Sequence, residues 1–337
     1  MRFSGVGIRQ QNNKGFVPEL LDVWSCLTKP GDQWLRLNGE TPLLTGNCAM
    51  NRESTPDTIE RELKLGLRDC DPISVSSALR DLLGREPTGT TRLLVNRYYD
   101  LSGQLHKAGV AIRTRSINDQ HEMTVKIREP DEGGLTQRSE WNFPIDEPVL
   151  DYALLKTVDL PVAVIELIDD GALDVVFENA FQRTDWRVRL DGCDVMISLD
   201  LGSVCVAEKT SPVSELELEL IAGDIEPLVE LSCLLANRLP SFMAVISKAE
   251  RGDRLIRAAD PMQDPPPVSE TDWLHWLSRA LDPLSGPSPD QAVRALDAIA
   301  DDEAISTFRA SLQDGGLPLG LARWMIRQSL ESMDAPH

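Results

Sequence analysis

The chain has 337 residues, which suggests about two structural units on a prior of roughly 150 residues per domain. With 42% hydrophobic and 26% charged residues it can form a globular core, and its net charge of -20 argues against broad binding to nucleic acid or anionic membranes. It has neither an apolar run of the roughly 20 residues that span a bilayer nor an N-terminal signal core. Its six cysteines are scattered along the chain, as is typical of free thiols in a reducing compartment. We therefore expect a cytoplasmic protein.

Three zones follow one another along the chain. Residues 1–56 are polar and irregular, and we predict a poorly ordered or appended segment in which Met50 is a candidate alternative start. Residues 57–258 are rich in predicted strands. After a proline-rich linker, residues 268–337 are predicted to form a small acidic helical region, with helices at 270–281, 289–299, 302–313 and 317–332.

The predicted strands alternate charged and apolar side chains, because successive residues of a strand face opposite sides. In the first strand Arg61 falls on the apolar face, and the charged face carries Glu60, Glu62 and Lys64. The last strand alternates leucines with Glu215, Glu217 and Glu219. The polar faces between them carry Arg113, Arg115, Lys126, Arg183 and, after these, Asp200. An ordinary sheet with one wet face is the alternative for any single strand.

A closed barrel would bring the first and last of these strands together. The expected result is a cluster of four carboxylates that is costly unless cations neutralise it: Glu60, Glu62, Glu217 and Glu219. Such oxygen ligands suit Mg²⁺ or Mn²⁺. Opposite them we expect a cationic wall that could bind a polyphosphate, formed by Lys64, Arg113, Arg115, Lys126 and Arg183. The apolar faces would point outward, under amphipathic helices predicted at 73–84 and 225–236.

At these residues the sequence resembles the CYTH superfamily, the triphosphate tunnel metalloenzymes, and in particular its bacterial inorganic triphosphatase branch. Glu60, Glu62 and Lys64 satisfy the hallmark ExExK, and the resemblance extends over about residues 58–257. It includes NRYYD at 96–100, IRTR at 112–115, EMTVK at 122–126, GGLTQR at 133–138, LDLG at 199–202, ELELELIAGD at 215–224 and SKAERG at 247–252.

Two features depart from that family pattern. Leu101 follows Asp100 where many relatives have Thr, which puts one polar contact in doubt. The tail is too short for the histidine-bearing CHAD domain of many long relatives, and it holds His275 and the terminal His337.

The resemblance implies an α+β fold, an eight-stranded antiparallel β-barrel tunnel covered by helices, with the small helical region at its C-terminal end. It implies hydrolysis of inorganic triphosphate with Mg²⁺ or Mn²⁺. By motif position, the implied metal ligands are Glu60, Glu62, Glu217 and Glu219, while Asp200 and Glu215 would hold a second metal or orient water. The implied phosphate-binding residues are Lys64, Arg113, Arg115, Lys126, Arg138, Arg183 and Lys248. Of all these, the set predicted to be catalytic is Glu60, Glu62, Lys64, Arg113, Arg115 and Asp200.

Other functions stay open at this point. Within the superfamily, the substrate could be an organic triphosphate, as for a thiamine triphosphatase, a nucleoside triphosphatase or an adenylate cyclase. From a different class, the protein could be a non-catalytic polyphosphate or nucleotide sensor. We predict a small-molecule triphosphate as the ligand, expect neither nucleic acid nor membrane as a partner, and keep a homodimer open.

Overall fold

The computed structural model describes residues 58–128, 136–171, 173–257, 270–282, 289–299 and 303–334. The predictions for residues 1–56, including Met50, and for the linker at 264–267 lie outside these ranges. No helix within the described ranges combines the length and the apolar character that crossing a membrane requires.

Within the described residues, eight long antiparallel strands close into a barrel. They are β1 (Thr58–Leu67), β2 (Gly89–Asp100), β3 (Val110–Ile117), β4 (Gln120–Arg128), β5 (Thr136–Ile145), β6 (Asp174–Leu190), β7 (Cys193–Val206) and β8 (Lys209–Gly223). The order around the ring is β1-β5-β4-β3-β2-β6-β7-β8, and β8 pairs again with β1. A short strand, β9 (Ser241–Met243), continues beside β1. The expected fold class, an eight-stranded antiparallel tunnel with helices, is confirmed.

The first strand shows how the alternation positions the site. Glu62 pairs with Glu219 and Lys64 with Glu217 on β8, so the predicted meeting of the first and last long strands is confirmed. On its other side β1 pairs with β5, where Glu60 lies opposite Arg138. The two faces separate as expected, since Glu60, Glu62 and Lys64 point into the barrel, and the leucines of this strand point outward.

Two amphipathic helices cover part of the outer surface, within one residue of the predicted positions. They are α1 (Pro72–Leu83) and α5 (Glu226–Ala236). Helix α1 begins where Asp71 accepts a hydrogen bond from the backbone N–H of Ser74 at 2.7 Å, and it ends at Gly84, whose φ of 66° favours glycine. Three short helices pack on the opposite side of the barrel: α2 (Gln104–Lys107), α3 (Tyr152–Leu155) and α4 (Val162–Asp169). They share an apolar cluster with strand residues that include Ile112 and Trp141.

The C-terminal helices pack onto the same barrel. They are α7 (Glu270–Leu281), α8 (Pro289–Ile299), α9 (Glu303–Gln313) and α10 (Leu321–Asp334). The last one starts four residues later than predicted, because Pro318 and Gly320, with φ of 82°, form a turn there. Leu277 of α7 and Leu65 of β1 belong to a single buried cluster. The predicted division into a tunnel domain and a separate tail therefore stays a prediction.

Helix α6 (Lys248–Arg257) lies between β8 and the C-terminal helices in the chain and packs against the barrel. Ser247 caps it by accepting a hydrogen bond from the backbone N–H of Glu250 at 3.1 Å. Gly252 allows a close approach to β6, since a Cβ atom there would lie 2.4 Å from the ring of Phe177. This helix therefore lies at the barrel interior with its first residue, Lys248, buried.

Candidate active site

The barrel encloses a cavity of about 570 Å³ that gathers most of the predicted site residues. Those that line it are Glu60, Glu62, Lys64, Arg113, Arg115, Lys126, Arg138, Arg183, Glu217, Glu219 and Lys248. Asp200 and Glu215 do not line it but are buried behind it, 0% and 2% exposed. Arg61 is exposed outside the cavity, as the alternation predicts.

Three carboxylates, Asp200, Glu215 and Glu217, form an inner acidic cluster on β7 and β8. One oxygen of each lies within 4.8 Å of the others. The Arg183 guanidinium donates two hydrogen bonds of 2.6 Å to Asp200 and one of 2.5 Å to Glu217. Because β6, β7 and β8 are neighbours in the ring, the register places Arg183 opposite Asp200 and Asp200 opposite Glu215.

Two lysines complete the neutralisation of the inner acidic cluster. Lys248 lies 2.7 Å from Asp200 and 2.9 Å from Glu217, and it also contacts Glu215. Lys64 lies 3.2 Å from Glu217. Burial alone would lower the pKa of both amines, but the surrounding carboxylates raise it above its ordinary value. Three acids here face three bases, so the cluster carries little net charge.

A second acidic cluster, Glu60, Glu62, Glu140 and Glu219, lies where β1 meets β5 and β8. Lys126 contacts Glu60 at 2.6 Å and Glu140 at 3.2 Å. Arg138 contacts Glu62 at 3.2 Å. Lys64 lies 3.6 Å from Glu62, but it is closer to Glu217 of the inner acidic cluster. Four carboxylates therefore share Lys126, Arg138 and part of the charge of Lys64, which leaves an excess of negative charge.

Glu219 carries the consequence of that excess. Burial raises its pKa, and the nearby carboxylates of Glu60, Glu62 and Glu140 raise it further, to about 7, although Lys126 acts in the opposite direction. Among the described residues, no basic side chain forms an ion pair with Glu219. An all-oxygen, negatively charged group of this kind fits Mg²⁺ or Mn²⁺, so the residues present suit the metal that the family pattern implies.

Arg113 and Arg115 show the opposite imbalance. Within the described part of the chain, neither forms an ion pair with a carboxylate, and the buried Nε of Arg113 has no hydrogen-bond partner. Burial and the guanidinium groups of Arg113 and Arg183 lower the pKa of Arg115 to about 9. Burial raises the pKa of Tyr98, but Arg113, Lys248 and Arg115 outweigh it and lower that pKa. Among the described residues, these two guanidinium groups therefore have no carboxylate bound directly to them.

The layout differs from a cationic wall facing an acidic one. Lys64, Lys126 and Arg183 lie in contact with carboxylates, because the antiparallel register sets them beside acids on neighbouring strands. Burying charges without partners would be costly, so interleaving is the stable arrangement. The predicted set of four carboxylates is likewise divided, since Glu217 lies in the inner acidic cluster.

Two buried amides that the sequence reasoning did not single out orient Arg115. Its Nε–H donates to Oδ1 of Asn96 at 2.7 Å, and Nδ2 of Asn96 donates to Oδ1 of Asn179 at 2.6 Å. Both asparagines are 0% exposed. Asn96 stands in the NRYYD motif, and both lie at inward positions of their strands, where an amide in an apolar pattern could have marked them.

A closed antiparallel barrel with acidic and basic side chains interleaved inside it defines a charged β-tunnel protein. The family model of the CYTH domain matches residues 59–235, and the chain belongs to the CYTH family.

The chain is similar to several known proteins. An inorganic triphosphatase of Haemophilus influenzae is 28% identical over 161 residues, which are 47% of this chain and 45% of that protein, so the match spans less than half of the relative. A solved structure from Hippeastrum, described as a putative adenylyl cyclase with a dominant triphosphatase activity, is 21% identical and covers 61% of this chain and 100% of its own, with a TM-score of 0.41. A putative adenylate cyclase of Vibrio parahaemolyticus is 13% identical over 52% of this chain and 87% of its own, with a TM-score of 0.32.

Proposed function

We propose that this protein hydrolyses a triphosphate in the barrel cavity, with inorganic triphosphate as the substrate and Mg²⁺ or Mn²⁺ as the cofactor. The observation that carries the proposal is a pair of opposite charge imbalances in a single cavity. Among the described residues, Glu219 forms no ion pair and its acidic neighbours outnumber the cations they share, while Arg113 and Arg115 form no ion pair with a carboxylate. A metal-bound polyphosphate would satisfy both.

The second acidic cluster is the better candidate for the metal. Its carboxylates Glu60, Glu62 and Glu219 line the cavity and have too few cationic partners. The inner acidic cluster is already paired with Arg183, Lys64 and Lys248. When bound, the metal would neutralise phosphate oxygens and the charge that develops during phosphoryl transfer.

The chain's own residues then bind and orient the substrate. Arg113 and Arg115 present guanidinium groups that can pair with phosphate oxygens, and Lys64 and Lys248 add ammonium groups to the same cavity. In the reaction, a water oxygen bonds to the terminal phosphorus and its proton passes to the solvent, the bridging P–O bond breaks, and pyrophosphate leaves. Because the transition state spreads charge over the phosphoryl oxygens, positioning and electrostatics from these groups supply most of the protein's contribution.

Asp200 and Glu215 are better placed to orient bases than to orient water. Asp200 is fully buried and bonded twice to Arg183, while Glu215 is bonded to Lys248. We infer that the pair fixes these two cations for contact with phosphate.

One observation favours a second candidate, an organic triphosphate. The rings of Tyr98 and Phe177 stack on the cavity wall with centroids 4.5 Å apart and an interplanar angle of 13°. Val176 and Ile256 line the same cavity. An apolar wall of this kind could contact a base or another organic group attached to the phosphates.

Phosphate release from inorganic triphosphate, ATP and thiamine triphosphate, each with Mg²⁺ or Mn²⁺, tests the proposal. We expect the fastest release from inorganic triphosphate, no release in EDTA, and a loss of about 10²–10³ in kcat for Arg115→Ala. Arg61→Gln and Arg97→Gln are matched controls, because both side chains lie outside the cavity, and they should keep full activity.

The other possible outcomes distinguish the candidate functions. Preference for an organic triphosphate would support the second candidate. Absence of release from every substrate, with retained binding, would favour a sensor and refute the enzymatic proposal. Full activity of Glu62→Gln would refute the assignment of the metal site.

A further inference from the structure

An ion pair buried between helix α6 and the C-terminal helices links the tail to the cavity. Asp282, the residue after α7, accepts two hydrogen bonds of 2.7 Å from the Arg251 guanidinium. The side chains are only 2% and 4% exposed. A third bond of 3.0 Å joins Arg251 to the buried hydroxyl of Ser211 on β8. These three hydrogen bonds restrict the orientation of the planar Arg251 guanidinium group.

Asp282 lies at a position where its negative charge is unfavourable. Its backbone N–H donates to the carbonyls of Ser278 and Arg279, so its carboxylate stands at the C-terminal end of α7. A negative charge there opposes the helix dipole. The pair with Arg251 offsets that repulsion, and loss of either partner would remove the opposite charge that lies closest to the other buried group.

Arg251 stands three residues after Lys248, and residues at this spacing lie on neighbouring positions of a helix surface. Arg251 pairs with Asp282 of the tail, while Lys248 contacts all three carboxylates of the inner acidic cluster. A second link holds the segment before the helix, where the backbone N–H of Val245 donates to Oγ of Ser278 on α7 at 3.1 Å.

We propose that the tail acts as a brace for the cavity: Asp282, through Arg251, positions helix α6 and thereby sets Lys248 against the inner acidic cluster and the substrate. Arg251 and Asp282 are positioning residues, since neither lines the cavity. The consequence for substrate rests on the proposed function; the effect on helix α6 does not.

Hydrogen exchange of the full-length, ligand-free protein tests the brace itself. In Asp282→Asn, amides of α6 should exchange at least about tenfold faster, while strands β2 to β5 keep their protection. The control Asp297→Asn removes a pairing of Arg309 with Asp297 between α8 and α9 and should leave α6 unchanged. Unchanged protection of α6 in Asp282→Asn would overturn the proposal. If that variant does not fold, Arg251→Lys keeps the charge but loses the fork, and the same result is expected.

A double-mutant cycle tests the link to Lys248, with the affinity for a non-hydrolysable analogue of inorganic triphosphate measured by calorimetry in Mg²⁺. Asp282→Asn should weaken binding about tenfold in the wild-type background and by less than about twofold in the Lys248→Met background. Equal losses in both backgrounds would show that Asp282 acts on overall stability, and the brace would be wrong. Failure of the wild-type protein to bind or hydrolyse triphosphate refutes the proposed function, while the exchange result still decides whether α6 is braced.

Discussion

Replacing Glu219 by glutamine should stabilise the metal-free protein, and only at neutral to alkaline pH. The pKa of this carboxyl rises from 4.5 to about 7 on folding, through burial and then through Glu60, Glu62 and Glu140. A carboxyl with a raised pKa favours folding while it holds its proton. That contribution is complete below the unfolded pKa and is lost as the pH rises through 7.

The magnitude follows from the shift. Between pH 5 and pH 8, a change of pKa from 4.5 to 7 removes about 2.5 kcal/mol of stability, since each pKa unit corresponds to about 1.4 kcal/mol. Glu219 is partly exposed, and solvent screening reduces this to about 1–2 kcal/mol. Glu219→Gln carries a neutral amide of the same shape, so it avoids the loss.

Thermal unfolding in EDTA at both pH values measures the effect. Relative to wild type, the melting temperature of Glu219→Gln should rise by roughly 2–8 °C more at pH 8 than at pH 5, at about 2–4 °C per kcal/mol. Glu208→Gln, on an exposed turn, should show no such difference. Added Mg²⁺ should raise the melting temperature of wild type more at pH 8 than at pH 5. If Glu219→Gln gained no stability at pH 8, the charge imbalance assigned to the second acidic cluster would be wrong.

Three further outcomes are expected. Asn96→Ala removes the acceptor that orients Arg115, and the Kd for a non-hydrolysable triphosphate analogue should rise about five- to tenfold in calorimetry. An unchanged Kd would show that Arg115 needs no such support. Gly252→Ala places a Cβ against the Phe177 ring and should cost about 1–3 kcal/mol in urea unfolding. Leu277→Ala should cost about 2–5 kcal/mol and keep a single unfolding transition; two separate transitions would show that the tail has its own core.

Much of the fold could be predicted from the alternation of charged and apolar residues in β1. Glu62 and Lys64 at period two, with leucines between them, predict one charged and one apolar face, and the structure places them so. The meeting of the first and last long strands followed from closure, but the neighbour on the other side, β5, did not. Pairing between distant strands depends on loop paths and register, which the pattern of a single strand does not encode.

The details of pairing inside the site were beyond the sequence for the same reason. Arg251 and Asp282 are 31 positions apart, and the amides of Asn96 and Asn179 are 83 apart. Each pair forms because two elements are brought together by the whole barrel. The position of Lys248 in a family motif predicted its role, but the Arg251–Asp282 pair that holds its helix is seen only in the structure.

The closed ring also has a consequence for how the protein folds. Strands β2 to β5 and β6 to β8 are successive hairpins, which a growing chain can form locally. β1 is made before any of them, yet its partners lie on β5, β8 and β9. Closing the ring therefore means joining segments far apart in sequence, a slow step, and we expect it to come late. Glu60 and Glu62 enter the cavity only at that step, so recovery of metal binding during refolding would report ring closure itself.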